Sequence, residues 1–136
     1  MSLPGQPAGP GTPADVEIRV PADGAYVAVL RTLTAGLAAR LDFTIEDIED
    51  LRIAVGEACA MVLPEADEAT DLVGSFALAP GRLTVQVGVP ATHPSPPDYD
   101  SFAWQVLTTL ADATVATHDG RFVVTLVATS TPLGGS

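Results

Sequence analysis

TIEDIEDLRIAVGEACAMVLP, residues 44–64, is the stretch on which the fold turns. Thr44 with Asp47 three residues on has the form of a capped helix start. Ile48, Leu51, Val55, Ala58 and Val62 then recur at helical spacing, and Pro64 halts the run. A helix of this kind cannot bury its apolar stripe alone, so the flanking sequence must supply a partner layer.

Upstream, Val16, Ile18 and Val20 alternate with Glu17 and Arg19, which predicts a half-buried strand ended by Pro21. Asp23 can cap a helix carrying Tyr26, Leu30, Leu33, Leu37 and Leu41 on one stripe. Downstream, Leu72–Ala79 and Leu83–Val89 are β-branched, apolar runs joined by Ala-Pro-Gly-Arg, a hairpin turn. A Pro-rich loop follows over 91–98. Asp100 or Ser101 can cap a third helix, with Phe102, Val106 and Leu110 on one side and Ala103 and Leu107 beside them. Thr114–Thr117 and Phe122–Ala128 flank Asp119-Gly120, a two-residue hairpin signal. The order β-α-α-β-β-α-β-β predicts an α+β two-layer sandwich: a mixed, mostly antiparallel sheet with three helices on one face.

The chain has 136 residues, enough for one domain. Residues 15–130 carry the elements; 1–14 and 131–136 read as tails, the first being Pro, Gly and Ala without periodicity. Met1 to Pro13 has neither the basic start nor the apolar core of a signal peptide, and no stretch is apolar for long enough to span a membrane. A cytoplasmic protein is expected. Net charge is −11, from 17 acids against six arginines and no lysine. Such a field repels phosphate backbones, so no direct nucleic-acid binding is expected. It keeps the chain soluble and speeds encounter with a basic partner.

Few residues offer chemistry. The single cysteine, Cys59, sits in an apolar helical run without a basic neighbour in sequence, as a buried small hydrophobe would. His93 lies in the Pro-rich loop and His118 precedes a hairpin turn; neither neighbours a nucleophile. Glu46, Asp47, Glu49 and Asp50 crowd a helix start, where acids complement the macrodipole more readily than they bind a metal. Glu57 stands out because its neighbours are small and apolar, so its carboxylate must be exposed, paired or held in a polar cleft. Met61, four residues on, shares its face.

Leu41-Asp42, the run Asp50 to Cys59, the run Ser101 to Asp112 and His118-Asp119-Gly120-Arg121 together resemble the RsbW-type anti-sigma factors, especially actinobacterial ones. These belong to the superfamily of ATPase domains shared with histidine kinases, gyrase and Hsp90, whose fold is the Bergerat or GHKL sandwich. The resemblance covers roughly residues 15–129 and implies a protein that holds an alternative sigma factor away from RNA polymerase. It also implies an anti-anti-sigma antagonist as second partner, phosphorylated on serine by ATP in many members, and a possible homodimer. An arginine corresponding to Arg31 contacts the sigma factor or the antagonist in such proteins; a solvated helix arginine is the plainer reading.

The nucleotide motifs of that family are degenerate here. In its Glu-x-x-x-Asn motif Glu57 takes the place of the base or water-positioning residue, but Met61 replaces the magnesium-binding asparagine. A thioether is a poor ligand for a hard cation. Around Gly88 the sequence Gln86-Val87-Gly88-Val89-Pro90 lacks the aspartate that binds adenine. Ser101 and Ala103 stand where closely spaced glycines admit the phosphates, and their Cβ atoms oppose that approach. The resemblance therefore implies a sigma-factor binder that needs no cofactor. ATP and magnesium, an active serine kinase, or a scaffold holding only the antagonist are the alternatives.

Overall fold

A computed structural model describes residues 13–130. The expected tail 131–136, and all but the last two residues of the tail 1–14, lie outside the described residues. The chain runs β1 (Val16–Pro21), α1 (Val27–Arg40), α2 (Ile45–Val62), β2 (Asp71–Ala79), β3 (Arg82–Pro90), α3 (Phe102–Leu110), β4 (Asp112–His118) and β5 (Arg121–Thr129). This is the predicted order. The strands form one sheet in the order β1-β2-β3-β5-β4, and all four pairings are antiparallel, so no parallel pair occurs among the described residues.

Alternation decides the layers. Leu72 and Phe76 of β2, Leu83, Val85, Val87 and Val89 of β3, and Val124 and Leu126 of β5 are fully buried. They face Leu51, Ala54, Val55, Ala58, Cys59 and Val62 of α2, the helix predicted from residues 44–64. Its cap is as read: the Asp47 backbone N–H donates to Thr44 Oγ1 at 3.1 Å.

The first helix departs from its predicted stripe. Asp23 caps a short 3-10 turn, Gly24–Tyr26, rather than α1 itself, and Tyr26 is left 39% exposed. The buried line of α1 is Leu30, Thr34 and Ala38, with Leu33, Leu37 and Leu41 half-buried beside it. Thr34 tolerates full burial because its hydroxyl donates to the Leu30 carbonyl at 2.7 Å, leaving no unpaired donor. The helix ends in a Schellman-type turn. The Phe43 N–H reaches the Ala38 carbonyl at 3.0 Å, and Asp42 takes φ 61° where glycine is usual.

Gly74 brings α1 down onto the sheet: a Cβ there would lie 3.2 Å from both Ile18 Cγ2 and Leu30 Cδ2. The third helix also differs from the prediction. Ser101, not Asp100, is its cap, with Trp104 N–H donating to Ser101 Oγ at 3.1 Å. Phe102, placed on the apolar side by its spacing, is 79% exposed, while Leu107 is the helix's buried residue. Phe102 occupies the first helical position and stays in solvent, so spacing alone misassigns it.

Candidate functional site

The residues singled out by sequence are spread over the helical layer, with Gly88 on the opposite face of the sheet. Asp47, Asp50 and Leu51 at the start of α2 line one depression with Thr108, Leu110 and Ala111 at the end of α3. The end of α3 therefore lies beside the start of α2. Glu57 and Met61 stand in the second half of α2, and Ser101 and Ala103 at the start of α3. Glu57 is half-buried and has no ion pair or hydrogen bond among the described residues. Met61 packs partly buried against the core. Ser101 already satisfies a first-turn amide of α3 with its own hydroxyl.

Gly88 is not brought to the helical side. On β3, Val87 and Val89 face the helices, whereas Gly88 lines a depression on the other face with Val73, Val123 and Arg121. Strand alternation makes the separation unavoidable. Val89, its neighbour, takes the helix-facing position.

The Pro-rich loop is pinned beside the end of α2. Asp67 accepts from the Thr92 N–H at 3.0 Å and from the Thr92 hydroxyl at 2.7 Å, and Glu65 accepts from the Ser95 N–H at 2.7 Å. Those Thr92 hydrogen bonds, chiefly the backbone one, hold the Asp67 carboxyl below its ordinary value. No sequence signal marked Glu65 and Asp67, because their partners lie 25–30 residues away.

Arg31 lies on the exposed side of α1 with no ion pair or hydrogen bond among the described residues. Its side chain crosses to α2 over Gly56. The remaining candidates are inert in this geometry. Cys59 is fully buried, and burial pushes its thiol up to about 12, with Arg31 opposing only in part. His118 Nε2 lies 3.0 Å from Asp119 Oδ2 on an exposed hairpin, and His93 is exposed in its loop. Glu46 and Asp47 sit in the first turn of α2, and Glu49 pairs with Arg52 at 3.0 Å. No group of three or more His, Cys, Asp or Glu among the described residues is arranged to hold a metal ion.

No protein-family model matches the chain. It is similar to proteins named serine-protein kinase RsbW from Bacillus thuringiensis (strain Al Hakam), Bacillus anthracis and Bacillus cereus (strain Q1). Each is 36% identical over 74 residues, which is 53% of this chain and 46% of the relative. The matched stretch thus spans about half the length of the curated relatives, and their similarity places this chain beside the RsbW-type proteins that its helix motifs resemble.

Proposed function

We propose that this protein is an RsbW-type anti-sigma factor that grips an alternative sigma factor through the exposed side of α1, in a cytoplasmic partner-switching pathway. The observation that carries the reading is Arg31: a guanidinium held across Gly56, presented to solvent, and unpaired among the described residues. A planar fork of donors in that state suits a carboxylate on a protein partner. The similarity to RsbW proteins supports the class of partner, and an anti-anti-sigma protein would compete for the same surface. No helix among the described residues is long and apolar enough to cross a membrane.

The residues at the family's nucleotide positions do not fit magnesium and a triphosphate. Met61 offers sulfur where a hard cation needs oxygen. Ser101 caps α3 with its own side chain, so a phosphate would have to displace that hydrogen bond. Gly88 opens onto the other face of the sheet. The grip on the partner is accordingly independent of nucleotide.

The test is co-purification and calorimetry against each sigma factor of the source genome, with and without magnesium-ATP. One partner bound equally in both conditions supports the reading, and failure with every sigma factor refutes it.

A second reading, a serine kinase acting on the antagonist, is favoured by Glu57, whose half-buried carboxylate is unpaired among the described residues, and by the name of the relatives. Transfer of label from ATP to the antagonist, abolished by Glu57→Gln, would establish it; no transfer by the intact protein would reject it.

A further inference from the structure

The face of the sheet turned away from the helices carries a depression of about 440 Å³. Its floor is two cross-strand rows: Arg19 opposite Val73, Val73 opposite Gly88 and Gly88 opposite Val123 in one, and Glu17 opposite Ser75 and Ser75 opposite Gln86 in the other. Arg121, two residues before Val123, folds its side chain back over the floor. A Cβ on Gly88 would come within 2.9 Å of Val123 Cγ2 and 3.1 Å of Arg121 Nη2. Glycine at position 88 is therefore what lets the guanidinium lie down in the groove.

The electrostatics of this groove differ from those of the molecule. The chain carries −11 and only six cationic side chains, yet two of the six, Arg19 and Arg121, line this depression. Arg121 is half-buried and has no ion pair or hydrogen bond among the described residues. The nearest acid in sequence, Asp119, is engaged by His118 at 3.0 Å. Arg19 meets Asp71 only loosely, at 3.6 Å, with both side chains well exposed. Two under-committed guanidinium groups thus stand at the ends of a row of two valines and a glycine, beside the polar row of Glu17, Ser75 and Gln86.

We propose that this groove binds a small dicarboxylate, one carboxylate in the fork of Arg121 and the other on Arg19, with the carbon chain lying on Val73, Gly88 and Val123. Charge-assisted, two-point contacts of this kind are the strong form of carboxylate recognition. Arg19 and Gly88 stand two strand spacings apart, about 10 Å, a gap that two arginine side chains and a diacid of about four to six carbons can close. The volume lies within the range of small-molecule pockets. Glu17 and Asp119, also on the lining, oppose any anion there, so the two guanidinium groups must hold the carboxylates at the ends of the groove. The site is on the opposite side of the sheet from Glu57, so it stands or falls independently of the function proposed above.

The test is titration of the full chain with succinate and adipate at constant ionic strength, following the backbone amide resonances of Val73, Gly88 and Val123. Saturable shifts at millimolar diacid are expected, with affinity about tenfold or more weaker for butyrate and for Arg121→Gln. Arg19→Gln should weaken the diacid while leaving butyrate unchanged. Arg19 is exposed and Arg121 lies half-buried over the groove, and unchanged melting temperatures would confirm intact variants. Absence of saturable shifts, shifts that persist in Arg121→Gln, or an equal response to inorganic phosphate would overturn the proposal.

Discussion

Arg31 of α1 lies across Gly56 of α2: a Cβ built on the glycine would sit 3.4 Å from Arg31 Cδ and 3.6 Å from its Nη1. The glycine is a seat for the arginine, and it lies in a helix interior, where glycine is otherwise unfavourable. Local helix stability has been given up at the place where the candidate partner-binding side chain rests.

Two substitutions separate those effects. Arg31→Ala should leave the melting temperature nearly unchanged while weakening sigma-factor binding by about 2 kcal/mol, the scale of an interfacial hot spot. Isothermal calorimetry with the cognate sigma factor checks it; wild-type affinity would remove Arg31 from the interface.

Gly56→Ala should raise stability by up to about 1 kcal/mol through helix propensity, because its methyl meets only the flexible arginine at ordinary contact distance. At that distance the methyl packs under Arg31 without displacing it, so partner affinity should stay unchanged as stability rises. Urea unfolding and calorimetry on one preparation read both; a loss of affinity in the stabilised variant would show that Arg31 needs glycine beneath it.

Gly74→Ala should destabilise by about 1–3 kcal/mol, since its methyl is pressed against Ile18 and Leu30 where α1 meets the sheet. Thermal unfolding measures this, and an unchanged or raised melting temperature would mean that α1 can shift without cost.

The Asp67 carboxyl gives a pH dependence with a definite sign. Its folded value is lowered from 3.8 by the Thr92 hydrogen bonds, so its contribution is present above pH 3.8 and is lost as pH falls through the lower folded value. Protection of the loop 91–98 from an acid-active protease should drop over that range. Asp67→Asn should lower protection at neutral pH and flatten the acid response, and an identical profile in that variant would refute the clamp.

Cys59 should resist thiol reagents at pH 8 in the folded state and react fully in denaturant, because its thiol is buried and pushed up to about 12. With the folded value raised above 9.0, its contribution to stability is intact below pH 9 and is lost as pH rises toward 12. Rapid labelling of the folded protein would contradict that burial.

Element type and order were legible because each helix and strand carries its own periodicity and its own punctuation. Thr44, Pro64 and Asp119-Gly120 all do locally what their chemistry predicts. Less of the candidate site was legible. Glu57 and Met61 share a face by spacing alone, but the clamp from Glu65 and Asp67 to the Pro-rich loop joins residues with no common periodicity.

The sequence by itself determined the helices, the strands, the Thr44 cap of α2 and the alternation that leaves one face of the sheet without helices. The buried side of α2 was legible too, whereas only the tertiary structure decided which side of α1 and α3 is buried. Periodicity says which residues travel together, whereas burial depends on what packs against them. Thr34 is therefore interior and Phe102 exposed, against the spacing of the leucines and aromatics. The same reason put Gly88 opposite Glu57 rather than beside it, and laid Arg31 over Gly56: side chains from distant segments meet only when the layers close.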